Sequence, residues 1–266
     1  MMAQCRDLLE SVIALSEDAG RRILEIYNTD FQVAKKDDTS PLTEADMAAH
    51  RAIIAGLAIL TPEIPVLSEE SASIPYAQRS AWRTYWLVDP LDGTREFIKR
   101  NGEFTVNIAL IKDHQPILGV IYTPVSGLCY YACRGAGSFK KTPDGTTQHI
   151  HVSPARRNPL MVAGSRSHQG DSLKAFLANS GNHEIINMGS SLKSCLVAEG
   201  KVDIYPRLGP TSEWDTAAAQ CIVEEAGGRL TDTRMQPLRY NTKESLLNPY
   251  FFAFGDTSMD WSKFLE

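Results

Sequence analysis

Nowhere in the 266 residues is there an uninterrupted apolar run of about eighteen, so the sequence offers no membrane-spanning helix. A basic excess is also missing. Lys and Arg number 27 against 32 Asp and Glu, a formal charge of −5, which argues against a nucleic-acid polymer as partner. Cysteine is sparse: Cys5, Cys129, Cys133, Cys195 and Cys221 are scattered and odd in number. That pattern suits buried free thiols in a reducing compartment rather than a disulfide framework. Cys129 and Cys133 have no second Cys/His pair at zinc spacing, and His149 and His151 read as surface residues of one strand face. The first twenty residues lack the apolar core of an export signal, because Arg6, Asp7, Glu10, Glu17 and Asp18 interrupt it, and a cytoplasmic location is expected. Internal repeats and low-complexity segments are absent. What remains is an ordinary globular composition, 43% hydrophobic and 22% charged, long enough to bury a large core.

Apolar residues at Leu8, Leu9, Val12, Ile13, Leu15, Ile23, Leu24 and Ile26 follow helical spacing over 5–28. A short strand is expected at 31–34, then a charged loop from Lys35 to Pro41. Thr43 and Asp46 form a weak capping-box pattern that opens a helix to about Leu60. Pro65 to Leu67 is a short apolar piece that stops at Ser68-Glu69-Glu70. Tyr85 to Val88 reads as a buried strand ending at Asp89-Pro90. Strand patterns at 104–111, 116–122 and 128–133 predict a meandering antiparallel sheet. Beyond a boundary placed near residue 155, strands at 160–163, 184–188 and 202–206 alternate with helices at 171–179, 190–199 and 214–226, an α/β pattern. The chain is thus expected as two halves, 1–155 and 156–266.

The stretch Trp86-Leu87-Val88-Asp89-Pro90-Leu91-Asp92-Gly93-Thr94 carries the most chemistry. An apolar strand delivers Asp89, Pro90 interrupts it, and Asp92 is placed to cap a helix beginning at Gly93-Thr94. Two carboxylates with the Leu91 carbonyl between them offer oxygen ligands to a hard cation such as Mg2+, which needs few protein groups. The N–H groups of Gly93 and Thr94, at the new helix end, suit a phosphate. Each acidic residue also has a plain structural reading. Asp-Pro and Asp-Gly cap turns, Glu69-Glu70 suits a solvated pair, and Asp215 suits the first turn of the helix after Trp214. Their recurrence at several strand and helix ends favours a shared site.

Asp89-Pro90-Leu91-Asp92-Gly93-Thr94 and Trp214-Asp215-Thr216-Ala217-Ala218, followed by Glu225-Ala226-Gly227-Gly228, resemble the two signatures of the inositol monophosphatase superfamily of metal-dependent phosphatases. The resemblance runs from Asp46 to Gly228, with Ser68-Glu69-Glu70 upstream of the first signature. It implies a layered αβαβα sandwich of the inositol monophosphatase and fructose-1,6-bisphosphatase type. It also implies that Glu69, Asp89, the Leu91 carbonyl, Asp92 and Asp215 hold two to three Mg2+ ions. Asp46 and Thr94, assisted by Glu69, would orient and deprotonate the attacking water. Inhibition by lithium and by excess calcium is implied as well.

Within that superfamily the runs from Glu96 to Phe104 and from Gly189 to Lys193 resemble the 3'(2'),5'-bisphosphate nucleotidases, which release phosphate from adenosine 3',5'-bisphosphate. That resemblance implies a small phosphorylated nucleotide as the partner. The scissile phosphate would meet Glu69, Leu91, Asp92, Gly93, Thr94 and Asp215. Ser190 or Ser191, Lys193 and Arg207 would meet a second phosphate, and His168 the base. Arg207 is a fork suited to a phosphate that is bound without being cleaved; surface ion pairing is the plain alternative for Lys193 and Arg207, and a simple loop residue for His168. A phosphatase for inositol or fructose phosphates is the second expectation, and a non-catalytic nucleotide sensor the third. Residues 35–43 are the candidate lid. The relatives implied by the resemblance allow peripheral association with the inner membrane, and either a monomer or a homodimer is compatible with the sequence.

Overall fold

The computed structural model describes residues 2–29, 41–165 and 170–265. The strand expected at 31–34, most of the candidate lid and His168 lie outside them. Two long helices, α1 (Met2–Tyr27) and α2 (Pro41–Leu60), precede a short strand β1 (Val66–Ser68) and a four-residue helix α3 (Tyr76–Arg79). Then follow β2 (Thr84–Asp92), the short helix α4 (Thr94–Ile98) and a meander of β3 (Thr105–Lys112), β4 (Gln115–Thr123), β5 (Leu128–Cys133), β6 (Gly137–Lys141) and β7 (Thr147–Ile150). These seven strands form one sheet in sequence order, and every neighbouring pair is antiparallel except β1 with β2.

The rest of the chain supplies β8 (Leu160–Ser165), α5 (Asp171–Ser180), β9 (His183–Met188), α6 (Leu192–Ala198), β10 (Ile204–Arg207), α7 (Glu213–Glu225), β11 (Arg229–Asp232) and β12 (Phe251–Phe254). Its five strands lie in the order β11-β12-β10-β8-β9, with β10, β8 and β9 parallel to one another.

Strand alternation explains how the layers stack. Trp86, Val88, Val106, Ile108 and Leu110 turn one face of the large sheet toward α1 and α2, where they meet Val12, Ile23, Ile53 and Leu57 in one core. Tyr85, Leu87, Ala109 and Ile111 turn the other way, onto Leu196, Ala218, Ile222 and Val223 of α6 and α7. Those same two helices are covered on their far side by Ala163, Tyr205, Leu230 and Ala253 of the small sheet. The opposite face of that sheet packs Val162, Ile204, Phe252 and Phe254 against Phe176 and Leu177 of α5. Helices, sheet, helices, sheet, helix: the architecture is the expected αβαβα sandwich. Contact between β4 and α7 is close because Gly119 has no side chain, and a Cβ there would stand 2.4 Å from the Ala218 carbonyl oxygen.

Several expectations need correction. β2 does not end at Asp89-Pro90 but runs on to Asp92, with a register shift against β3 between Asp89 and Asp92. A proline can sit at such an irregularity because no ladder hydrogen bond is needed from it. Asp92 does not cap α4: the N-cap position is Gly93, at φ 99°, and the Asp92 carboxylate is engaged elsewhere. Five free thiols are reduced to three, since Cys5 and Cys133 form a disulfide across 128 residues while Cys129, Cys195 and Cys221 are free and buried. Packing of α1 over the large sheet brings the two Cα atoms to 6.2 Å, a proximity that only the tertiary structure creates. No helix among the described residues is long and apolar enough to cross a membrane.

Candidate active site

Two aspartates three positions apart in a regular strand would point to opposite faces. The register shift at Pro90 changes that. Leu91 joins the core under α1 and α2, and Asp92 comes onto the same side as Asp89. From the other half of the chain, α7 opens at Ser212, whose backbone N–H donates to Asp215 Oδ2 at 2.9 Å in a capping box. One carboxylate oxygen from each of Asp89, Asp92 and Asp215 lies within 4.8 Å of the others. Glu69, just after β1, lines the same cleft.

The cleft holds about 280 Å³. One part of its wall is acidic, from Glu69, Asp89, Asp92 and Asp215. Another is basic, from Lys193 and Arg207, and Gly93, Thr94, Ser190 and Ser191 lie along it as well. The sequence therefore named a set of residues that the fold brings to one cavity. Among the described residues Asp46 is the exception: it does not line the cleft but stands on α2, with one carboxylate oxygen buried and unpartnered and a hydrogen bond to Glu70.

Burial dominates the electrostatics. It raises the Asp89 carboxyl well above the usual range, and the charges of Asp92, Glu69, Asp215 and Asp46 raise it further. Glu69 is pushed up to about 7 by burial, then by Asp92 and Glu70, with hydrogen bonds to Asp89 and the Trp214 side chain opposing. Asp215 is likewise pushed up to about 7 by burial and Asp92, against its hydrogen bond from Ser212. Asp46 reaches about 9 through burial, Glu70 and Glu69. On the basic side, burial brings Lys193 down to about 8, although Asp92 pulls it upward. The Lys193 ammonium donates to the Ser190 carbonyl at 2.6 Å and to the Met188 carbonyl at 3.3 Å. Arg207 donates to the Pro210 carbonyl at 3.0 Å, and its Nε is buried without a partner.

This acidic cluster fits a hard divalent cation. The converging donors are oxygens, with no thiol or imidazole among them, which suits Mg2+ better than zinc. Buried carboxylates that crowd one another are otherwise tolerated only by holding protons. One oxygen of each aspartate is also fixed in place by the chain. Asp89 Oδ1 accepts from the Leu91 N–H at 3.1 Å, Asp215 Oδ2 from Ser212, and Asp92 Oδ2 from the residues after β9.

The resemblance implies Ser190 or Ser191 near a second phosphate. In the structure both hydroxyls donate to Asp92 Oδ2, at 2.5 and 2.7 Å. Sequence inspection missed Thr105 and Asn107, which stand opposite Asp92 and Asp89 in the β2–β3 register. Their signal was present: two polar residues at alternate positions of a strand that is otherwise apolar and buried up to Ile111 need a polar partner.

The model of the inositol monophosphatase family matches residues 5–254. A 3'(2'),5'-bisphosphate nucleotidase CysQ of Salmonella typhimurium is 50% identical over 246 residues, covering 92% of this chain and 98% of the relative. A protein of the same name from Haemophilus influenzae is 38% identical over 267 residues, covering 100% and 99%. Among solved structures, CysQ from Bacteroides thetaiotaomicron, described as a bacterial member of the inositol monophosphatase family, superposes with a TM-score of 0.82 at 43% identity, covering 92% of this chain and 96% of that one.

Proposed function

Because this chain belongs to the inositol monophosphatase family, we propose that it is a Mg2+-dependent 3'(2'),5'-bisphosphate nucleotidase that converts adenosine 3',5'-bisphosphate to AMP and phosphate. One observation carries the assignment beyond the family: an acidic cation site and a basic pair, Lys193 and Arg207, line a single cleft. A substrate with one phosphate to lose and another to keep uses both.

Glu69, Asp89, the Leu91 carbonyl, Asp92 and Asp215 would hold two to three Mg2+ ions. When bound, these supply an acidified water and neutralise charge on the phosphoryl oxygens. The chain's own groups do the rest. Asp46 and Thr94, assisted by Glu69, orient and deprotonate the water, and the amides of Gly93 and Thr94 bind the scissile phosphate. Lys193 and Arg207 hold the phosphate that stays, as point charge and fork respectively, and His168 is assigned to the base. Inhibition by lithium and by excess calcium, and a cytoplasmic location, go with this assignment.

The decisive experiment is phosphate release from adenosine 3',5'-bisphosphate, inositol 1-phosphate and fructose 1,6-bisphosphate, each with and without Mg2+. Fastest turnover of the nucleotide, dependent on the metal, is expected. Preference for either sugar phosphate would move the chain to another branch of the family, and nucleotide binding without phosphate release would make it a sensor.

A further inference from the structure

Behind the acidic cluster lies a network of hydrogen bonds that converges on one oxygen of Asp92. Thr105 and Asn107 are both buried on β3. The Thr105 hydroxyl has one proton and two oxygens in reach, Asn107 Oδ1 at 2.9 Å and Ser190 Oγ at 2.6 Å. With its amide oxygen on the Thr105 side, Asn107 turns its NH2 toward Ser191. That NH2 donates to Ser191 Oγ at 2.9 Å, and Ser191 Oγ donates to Asp92 Oδ2 at 2.7 Å. Ser191 has one proton to give and two acceptors in reach, Asp92 and the Asp215 carbonyl at 2.9 Å. The carboxylate takes it, because a hydrogen bond to a charged acceptor is shorter and roughly twice as strong. The Ser191 backbone N–H adds 2.7 Å to the same oxygen, and the Ser190 hydroxyl adds 2.5 Å. Among the described residues, all the hydrogen bonds that Asp92 receives end on Oδ2.

Ser190 can deliver its hydroxyl because its backbone is left-handed, at φ 51°, a conformation held by Lys193 through the Ser190 and Met188 carbonyls. The turn after β9 and the strand β3 thus meet on one atom. We propose that Asn107, acting through Ser191, is a positioning residue for the metal site: it commits Asp92 Oδ2 to the protein and leaves Oδ1 as the oxygen offered to a cation. This rests on the metal-dependent reading given above. It assigns Ser191 to Asp92 ahead of any direct contact with substrate, and gives a role to two strand residues that do not line the cleft.

The test is calorimetric titration of the substrate-free chain with Mg2+ alone. Asn107→Leu keeps the volume and loses the amide, and Ser191→Ala loses the hydroxyl. Each is expected to weaken Mg2+ binding about 10- to 100-fold, as removal of a ligand's orienting partner does. The double variant should be no weaker than the worse single, because both cut the same relay. A merely structural role would lower the unfolding temperature of the metal-free protein and leave Mg2+ affinity unchanged. Should Asn107→Leu fail to fold, Thr105→Val removes the hydroxyl that reaches both Asn107 Oδ1 and Ser190 Oγ, and is expected to weaken binding while Thr105→Ser does not. Wild-type affinity in these variants, or strictly additive losses in the double, overturns the relay alone. A wild-type chain that binds no Mg2+ overturns the metal-dependent assignment and the relay with it.

Discussion

Asp89 has the least water around it of the cluster's acids, and it faces four other carboxylates. Under the proposed function it is a metal ligand whose charge matters more than its shape. Asp89→Asn and Asp215→Asn keep the shape. Each is expected to reduce turnover below about one-thousandth of wild type, about 4 kcal/mol of lost transition-state stabilisation, with an unchanged circular dichroism spectrum. Near-normal turnover in either removes that residue from the metal shell. Arg207→Glu tests the other wall of the cleft: KM for the bisphosphate should rise at least about tenfold more than KM for a single-phosphate substrate, some 1.4 kcal/mol of discrimination. Equal rises would withdraw Arg207 from the second phosphate. Asp89 and Asp92 were legible in the sequence because they close an apolar strand, and Asp215 because it opens an apolar helix. Asn107 was not singled out, because an amide inside a strand announces burial and says nothing of what it faces.

β4 and α7 approach until the Gly119 Cα is the only spacer between strand and helix. Asp215 sits at the first turn of that helix, so a displacement of α7 moves a cluster acid. Gly119→Ala places a methyl against the Ala218 backbone, which cannot swing aside as a flexible side chain would. A cost of about 1–3 kcal/mol is expected, seen as a lower thermal midpoint, together with weakened Mg2+ binding. Unchanged Mg2+ affinity alongside lower stability would show that α7 tilts without carrying Asp215. Most elements were readable from periodicity, and β5 was found to the residue. The misses have local causes. β6, β7, β11 and β12 are short, β7 is mostly exposed, and β12 is apolar throughout, so none shows a full alternating pattern. The Cys5–Cys133 pair joins a helix to a strand 128 residues on, which no local spacing encodes.

Taken together, the acids make the metal-free molecule sensitive to alkali. Asp46, Glu69 and Asp215 all bind protons more tightly folded than unfolded, at about 9, 7 and 7. Groups with raised folded values contribute stability that is complete below their ordinary range near 4 and is lost as the pH climbs through the folded values. Stability of the chelator-treated chain should therefore decline from about pH 5 to pH 9, and the rise in thermal midpoint on adding Mg2+ should grow over the same interval. A flat profile without metal would show that the acids do not share one crowded cavity. The layering adds a temporal consequence. β12 is late in the sequence yet lies between β11 and β10, inside the small sheet rather than at its margin. During synthesis that slot stays vacant until Phe251–Phe254 leaves the ribosome, so the sheet that backs α7 closes only then. Hydrolytic competence should switch on late and abruptly, and partly made chains would leave the cell's nucleotide pool untouched.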